Sequence, residues 1–308
     1  MLRFSLSRPC LGIEIAPLAV RVAAVKGCGA KLAASFTRTV ELPAGVVSES
    51  YASPDITDFH HLTSVLRECL KNAPSGARRS ALSLPDSLFR VLTLEFDELP
   101  DKAVDRERLI RWRLEKAAAF DTADTVVRYQ VLGTREKGFT VLSCVAKQTV
   151  IDQFEAIVTT LGLEPWAVGP SSFHVHNFYS SYLANKSAVS ALAHLSADSF
   201  STIIMDANGA MFYRFKDMKR GSGDDMRGRL MREIDDSLHF FTHMDRSQQS
   251  EVHDLYLTGE SAVTVGLAED LRNMTALNVE VLSPASVITS AESIDSELAA
   301  ALGAGSGL

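Results

Sequence analysis

The fold is decided by the stretch Leu11-Gly-Ile-Glu-Ile-Ala-Pro-Leu-Ala-Val-Arg-Val-Ala-Ala-Val25. It contains two short apolar runs, which Ala16-Pro17 separates. Apolar runs of this length on either side of a turn-forming proline are typical of two β-strands joined by a tight turn. The sequence therefore predicts that the chain opens with a β-hairpin.

The residues after this hairpin predict the rest of a first α/β unit. Residues 31–42 alternate like a strand, and residues 58–72 carry apolar side chains at the spacings of three and four that are typical of a helix. Residues 80–84 form a predicted strand that ends at Pro85. The opening segment is thus predicted to contain three strands, a helix and a strand.

A smaller unit is predicted next. Its expected strands cover residues 89–96, 126–132 and 140–146, and its expected helices cover residues 105–120 and 149–161. Strands with helices between them over this length predict a small α+β module.

The remaining sequence predicts a second unit that resembles the first in order. Residues 171–183 are a predicted helix before the linker at 185–187. The later expected elements are strands at 189–194, 201–206 and 210–216, a helix at 226–244, a strand at 254–258, a helix at 264–274, a strand at 279–282, a terminal helix at 294–302 and a fraying tail at 303–308. Two such halves predict a duplicated α/β architecture. Loops 16–19, 196–199 and 259–261 are expected to line the crevice between the halves, where ligands of open sheets bind.

Composition excludes several classes of protein. The 308 residues are 46% hydrophobic and carry a net charge of -7, which argues against disorder and against a dedicated nucleic-acid binder. The four cysteines are scattered, so neither a disulfide scaffold nor a zinc site is expected. No signal peptide and no apolar stretch of about 20 residues are evident, and we expect a cytoplasmic protein.

Several motifs, in their order, resemble PilM, the actin-like cytoplasmic protein of type IV pilus assembly, and its relatives GspL and FtsA. The opening match is Leu11-Gly-Ile-Glu-Ile15 followed by Val20-Arg-Val22. The later matches are Leu82-Ser-Leu-Pro85, Arg108-Leu-Ile-Arg-Trp-Arg-Leu-Glu-Lys116, Tyr129-Gln-Val-Leu132, Asp235-Asp-Ser-Leu-His-Phe-Phe241 and Leu257-Thr-Gly259. The resemblance implies an α/β, actin-like (ribonuclease H-like, duplicated) two-lobed ATPase fold with an FtsA-type α+β subdomain inserted in the first lobe. It also implies domain boundaries: residues 1–85 plus 163–186 for the first lobe, 86–162 for the insert and 187–308 for the second lobe.

The resemblance assigns five residues to the nucleotide loops: Glu14, Ser196, Asp198, Ser199 and Gly259. Backbone N–H groups of small residues usually cradle the phosphates in such loops, while carboxylates position magnesium through water. Here Ala16-Pro17-Leu18 replaces a Gly/Ser-rich turn, His194 stands where an acid is common, and one glycine survives in the adenine turn. The three departures predict a weakened or lost site, so the expected cofactor is either none or ATP with magnesium.

In PilM-like proteins the cleft between the insert and the first lobe is implied to receive the cytoplasmic N-terminal peptide of the inner-membrane protein PilN. We therefore expect a PilN-like partner, attachment to the inner membrane through partners, no catalytic residues and no bound metal. Aromatic and large apolar side chains dominate such interfaces. Residues of this kind in the insert are the expected partner site: Phe89, Leu92, Leu94, Trp112 and Phe120.

Two alternatives stay open at this point. A functional actin-like ATPase would need the magnesium carboxylate and the backbone cradle that the loops have in part lost. A GspL-like secretion protein would continue into a membrane helix, whereas no apolar span follows residue 302, so the PilM-like interpretation is preferred.

Overall fold

The computed structural model describes most of the chain. The described residues are 10–27, 32–48, 51, 56–118, 122–135, 138–184, 189–196, 199–206, 209–218, 226–244, 251–259, 261–290 and 293–307.

The first sheet has six strands, numbered here in chain order through the whole molecule. They are β1 (Cys10–Ala16), β2 (Ala19–Lys26), β3 (Leu32–Glu41), β4 (Arg79–Leu84), β8 (Glu164–Pro170) and β14 (Ile288–Ser290). Their order across the sheet is β14-β3-β2-β1-β4-β8. The hairpin predicted from the opening stretch is present, with Ala16 paired to Ala19. Strand β1 is antiparallel to β2 and parallel to β4.

The second sheet repeats this arrangement with five strands. They are β9 (Val189–Leu195), β10 (Ser199–Asp206), β11 (Gly209–Asp217), β12 (Asp254–Gly259) and β13 (Asn278–Val281). The order β11-β10-β9-β12-β13 matches β3-β2-β1-β4-β8, with an antiparallel hairpin pair followed by parallel strands in both. The predicted duplication is confirmed by this common order.

A third, three-stranded sheet lies between the two in sequence. It contains β5 (Arg90–Phe96), β6 (Thr125–Arg135) and β7 (Gly138–Lys147), in the order β5-β7-β6. Each of its neighbouring pairs is antiparallel.

Seven helices of the described residues cover these sheets. They are α1 (Phe59–Cys69), α2 (Ala103–Ala118), α3 (Gln148–Thr160), α4 (Ser171–Leu183), α5 (Met226–Met244), α6 (Ser261–Met274) and α7 (Ala299–Ser306). Helices α1 and α3 supply buried apolar residues to the core under the first sheet, and α5 and α6 supply those of the second. Helix α2 buries Ile110 and Leu114 against the third sheet. Amphipathic helices of this kind are stabilised mainly by the burial of one face.

The end of the chain differs from the expectation. Residues 303–306 do not fray: they continue α7 and are buried, and the helix starts at Ala299 rather than at residue 294. Strand β14 pairs with β3 of the first sheet, so the chain returns to the first sheet after completing the second. Two short strands, β8 and β14, were not predicted from the sequence.

Small residues explain how α7 packs. A Cβ added to Gly12 of β1 would lie 1.8 Å from the carbonyl oxygen of Ala301, and one added to Gly303 would lie 2.0 Å from that of His174. Real Cβ atoms do not approach backbone atoms so closely. The helix therefore lies against β1 and α4 at a distance that only glycine permits at these positions.

Candidate functional site

The three loops expected to line a crevice do converge. The β1–β2 turn, the end of β9 and the end of β12 surround a cavity of about 80 Å³. Its walls also include His194 and two residues that the sequence did not single out for a site, Arg21 and Glu297. Strand ends of open α/β sheets meet in this way at the crevice outside the sheet.

Arg21 lies at the centre of this cavity. It stands opposite Glu14 in the β1–β2 ladder, and its Nη1 is 3.5 Å from Oε1 of Glu14. Its Nη2 donates a hydrogen bond to the carboxylate of Glu297. The Glu14 side chain is buried and that of Arg21 is 14% exposed, whereas that of Glu297 is 33% exposed, so the cation is held between one buried and one partly exposed carboxylate. A buried guanidinium keeps its charge and forms directional pairs of this kind.

Glu297 is brought to the cavity by the last segment of the chain. It lies in a short 3-10 helix, Ser296–Leu298, which Asp295 caps through a hydrogen bond from the Glu297 N–H. Ser296 Oγ also donates to the carbonyl oxygen of Gly259 at 2.8 Å. The terminal segment thus contacts the second sheet through Ser296 and the first sheet through Glu297.

Burial controls the charge of the other polar groups here. It raises the pKa of the Glu14 carboxyl, although the charge of Arg21 opposes the rise. Burial, with the charge of Arg21 acting in the same direction, lowers the pKa of His194 to about 4, so the imidazole is neutral at pH 7. Three buried atoms of these cavity side chains have no hydrogen-bond partner among the described residues: Glu14 Oε2, Arg21 Nε and His194 Nδ1. A cavity of this size and polarity suits ordered water.

The residues predicted for the nucleotide loops are partly brought together. Glu14, Ser196 and Gly259 line the cavity. Ser199 begins β10, and its carbonyl oxygen accepts a hydrogen bond from the Ser196 N–H at 2.9 Å, which closes the turn. Asp198 lies outside the described residues.

Gly259 has a local reason to be glycine. Its φ is +127°, and an added Cβ would lie 2.1 Å from the carbonyl oxygen of Leu195. The close parallel approach of β9 and β12 therefore requires this glycine whether or not a ligand binds.

A magnesium triphosphate does not fit the residues present. Small-molecule pockets usually measure about 300–1,000 Å³, far more than this cavity. Two carboxylates that could position magnesium through water face the space, but both are paired with Arg21. Arg21, which supplies the guanidinium among the described lining residues, is thus engaged and does not offer its charge to a phosphate, and Pro17 has no N–H to offer.

A second polar cluster, also missed from the sequence, connects the two sheets. Asp86, just after β4, accepts hydrogen bonds from Ser172 Oγ at the start of α4 and from Tyr213 Oη of β11, the latter at 3.0 Å. Burial raises the pKa of the Asp86 carboxyl to about 6, against the effect of these donors. The sequence did contain a signal for this cluster: an aspartate directly follows Pro85, at the end of a buried strand.

The residues expected to bind a partner do not share one surface. Phe89 is buried in the core of the first sheet, and Leu94 is buried under α2 with Leu92 beside it. Trp112 is 51% exposed, and the Lys116 ammonium lies 5.4 Å from its ring centre. Phe120 lies outside the described residues. Of the four that are described, Trp112 alone presents most of its side chain to solvent.

Comparison with solved structures identifies the class of this fold. The chain has an actin-like fold: it aligns over 94% of its length, at a TM-score of 0.55 and 12% identity, with 96% of a Bacteroides thetaiotaomicron protein of actin-like ATPase fold and unknown function. It also aligns over 96% of its length with 88% of the ethanolamine utilization protein EutJ from Carboxydothermus hydrogenoformans, at a TM-score of 0.53 and 8% identity.

Within this class the chain is PilM-like in its fold. It aligns with a chain of the PilM–PilN type IV pilus biogenesis complex at a TM-score of 0.81 and 20% identity, over 96% of this chain and 97% of that one. The predicted fold class is thereby confirmed. No protein-family model matches the sequence, and no curated protein matches it significantly.

Within the part of the chain that the structure describes, no helix is both long enough and apolar enough to cross a bilayer.

Proposed function

We propose that the chain is a non-catalytic, actin-like scaffold of a type IV pilus inner-membrane assembly complex. In this proposal it binds the cytoplasmic N-terminal peptide of a PilN-like membrane protein, and its cleft holds no nucleotide. The fold likeness to a chain of the PilM–PilN complex extends over nearly the whole length, which supports the assignment.

One observation carries the proposal that nucleotide is absent. The Arg21 side chain and the Glu297 carboxylate paired with it line the space between the two hairpin turns, whose volume is about 80 Å³. Phosphoryl transfer depends on positioning and on stabilisation of negative charge. A cleft with two carboxylates and little volume does not position a phosphoryl group and does not stabilise its negative charge.

We also propose the domain division expected from the sequence, with one amendment. Apart from β14, the strands of the first, third and second sheets fall within residues 1–85 plus 163–186, 86–162 and 187–308 respectively, which supports the division. We assign residues 288–307 to the first lobe, because β14 pairs with β3 and α7 packs against β1.

The proposed peptide site is the junction between the insert and the first lobe. Here the Arg90 guanidinium lies 4.4 Å from the ring centre of Tyr51, and the N–H of Ile56 is 3.4 Å from Oε1 of Gln153 on α3. A loop of the first lobe thus meets both an insert strand and α3. An extended peptide can dock at such a junction through side-chain pockets and main-chain hydrogen bonds.

Calorimetry tests the two parts of the proposal separately. The synthetic N-terminal peptide of the PilN-like protein from the same organism should bind the wild-type chain, and Arg90→Ala should weaken that binding about tenfold through loss of the junction. Glu14→Gln, in the cavity and not among the junction contacts, should leave peptide affinity unchanged. Failure of the peptide to bind wild type would contradict the scaffold assignment.

The second part of the experiment tests nucleotide binding by titrating the chain with ATP and magnesium. We expect no heat of binding and no phosphate release above background. Phosphate release that disappears in Glu14→Gln would instead establish the alternative, a functional actin-like ATPase.

A further inference from the structure

A large groove lies between the third sheet and the end of α5. Its volume is about 590 Å³. It is formed by consecutive residues of β5, by the C-terminal half of α2 and by the last turn of α5. The lining residues are Thr93, Leu94, Glu95, Arg113, Lys116, Ala117 and His243.

The groove runs along the backbone edge of β5. Side chains of a strand alternate between its two faces, yet three consecutive residues, 93–95, all line the groove. Such a run is expected where the edge of the strand, rather than one face, borders the space. Among the described strands β5 pairs with β7 alone. Strand β11 approaches β5 without pairing to it, and no β11 residue lines the groove. An unpaired edge offers N–H and C=O groups to another extended chain.

The helical wall of the groove is cationic. Arg113 and Lys116 are exposed, and neither has a carboxylate within 4.0 Å among the described residues. The next cations on α2 differ, because Arg108 pairs with Asp105 and Arg111 pairs with Glu107. His243 adds a third basic side chain from α5. Arg113 and Lys116 outnumber the one carboxylate among the described residues that line the groove, Glu95 on the strand wall, so the groove is complementary to an acidic ligand although the chain has a net charge of -7.

We propose that this groove binds an acidic, extended segment of a partner protein, which adds a strand to the outer edge of β5. Main-chain hydrogen bonds to β5 hold the segment, and its carboxylates pair with Arg113 and Lys116. Trp112 has a supporting role, since its ring lies under the Lys116 ammonium and orients it. The site is distinct from the proposed peptide junction at Tyr51 and Arg90.

Two synthetic peptides of equal length test the proposal on the full chain: one alternates valine with glutamate, the other valine with lysine. Titration should show binding of the acidic peptide alone. Amide hydrogen exchange should slow at residues 93–95 on its addition, as expected for strand addition. The double variant Arg113→Glu with Lys116→Glu should weaken binding on the order of tenfold.

Arg108→Glu is the matched control, since it reverses a charge on the same helix at a side chain that is 78% exposed and outside the groove. It should bind the acidic peptide like wild type. Equal binding of the two peptides, unchanged exchange at residues 93–95, or equal weakening by Arg108→Glu would overturn the proposal. So would binding of inorganic phosphate that depends on Arg113 and Lys116 without acidic-peptide binding, because the groove would then be a small-anion site. The groove variants leave the Arg90 junction unchanged. A negative result for the groove therefore does not contradict the proposed function, and a negative result for the junction peptide does not contradict the groove proposal.

Discussion

Arg21 donates a hydrogen bond to the carboxylate of Glu297, a residue 276 positions further along the chain. The pair joins the second strand to the terminal 3-10 helix inside the cleft. Because Arg21 also pairs with Glu14, its guanidinium faces two carboxylates there.

Removal of this cation should destabilise the chain strongly. Arg21→Met leaves Glu14 buried without its partner, and breaking a buried pair from one side costs about 3–5 kcal/mol. Urea denaturation would measure the loss. Adding Glu14→Gln to that variant should recover part of it, because the unpaired buried charge is then gone.

A surface pair provides the comparison. Arg38 pairs with Glu68 at a solvent-exposed position of the same sheet. Arg38→Met should lower the free energy of unfolding by no more than about 1 kcal/mol. A loss as large as that of Arg21→Met would show that burial does not distinguish the two pairs.

Asp86 should make the free energy of unfolding depend on pH. Its pKa is about 6 in the folded chain and 3.8 as an ordinary aspartate, so its protonated form favours folding. The favourable contribution is present below about pH 4 and is lost as the pH rises to about 6. Relative to Asp86→Asn, the wild type should therefore lose on the order of 2–3 kcal/mol between pH 4 and 7.

Chemical denaturation at several pH values would measure this difference. Two buried histidines, His174 and His194, have pKa values lowered to about 4 and act in the opposite direction, but they are common to both proteins. A wild type that runs parallel to Asp86→Asn would contradict the prediction.

Gly12 should not tolerate even a methyl group. Gly12→Ala places a Cβ against the backbone of α7, and overpacking of this kind costs about 1–3 kcal/mol or more. Thermal denaturation would show a lower midpoint. Gly76→Ala is the control: its added Cβ has nothing within 4 Å, and it should leave stability unchanged or raise it by about 0.4–1 kcal/mol.

Alanine substitutions at Trp112 and Leu114 should lower the free energy of unfolding by different amounts, because one residue of α2 lies at the surface and the other in the core. Trp112→Ala should lower the free energy of unfolding by about 1 kcal/mol or less, because half of the side chain is already exposed. Leu114→Ala should cost about 2–5 kcal/mol, since Leu114 is fully buried in the core under the third sheet. A large loss for Trp112→Ala would place that ring in the core of the insert instead.

The sequence predicted the hairpins and the long helices well because their apolar periodicity is strong. It missed β8, Glu164–Pro170, because two prolines and a glycine argue against a strand. Proline is tolerated at β8 because this strand lies at the edge of the sheet, where fewer ladder hydrogen bonds are needed.

The sequence predicted where the candidate site lies but not all of the charged residues that line it. Glu14, Ser196 and Gly259 were placed correctly at the cleft, because the strand order of the two halves fixes where their loops meet. Glu297 was missed, since no local pattern shows that a residue near the end of the sequence reaches the second strand. Arg21 did carry a signal: a cation inside an apolar strand must find a buried partner.

The return of the chain to its first sheet has a consequence for synthesis. The β1–β4 strands leave the ribosome early, but the face that covers Gly12 is supplied by residues 299–306. Domains made early usually fold as units while the rest is being translated. Here an apolar face of the first lobe stays uncovered until the α7 residues have been synthesised. The contacts that cover it join residues far apart in the sequence, and such contacts slow folding. Premature termination before α7 should therefore leave a nascent chain that depends on chaperones.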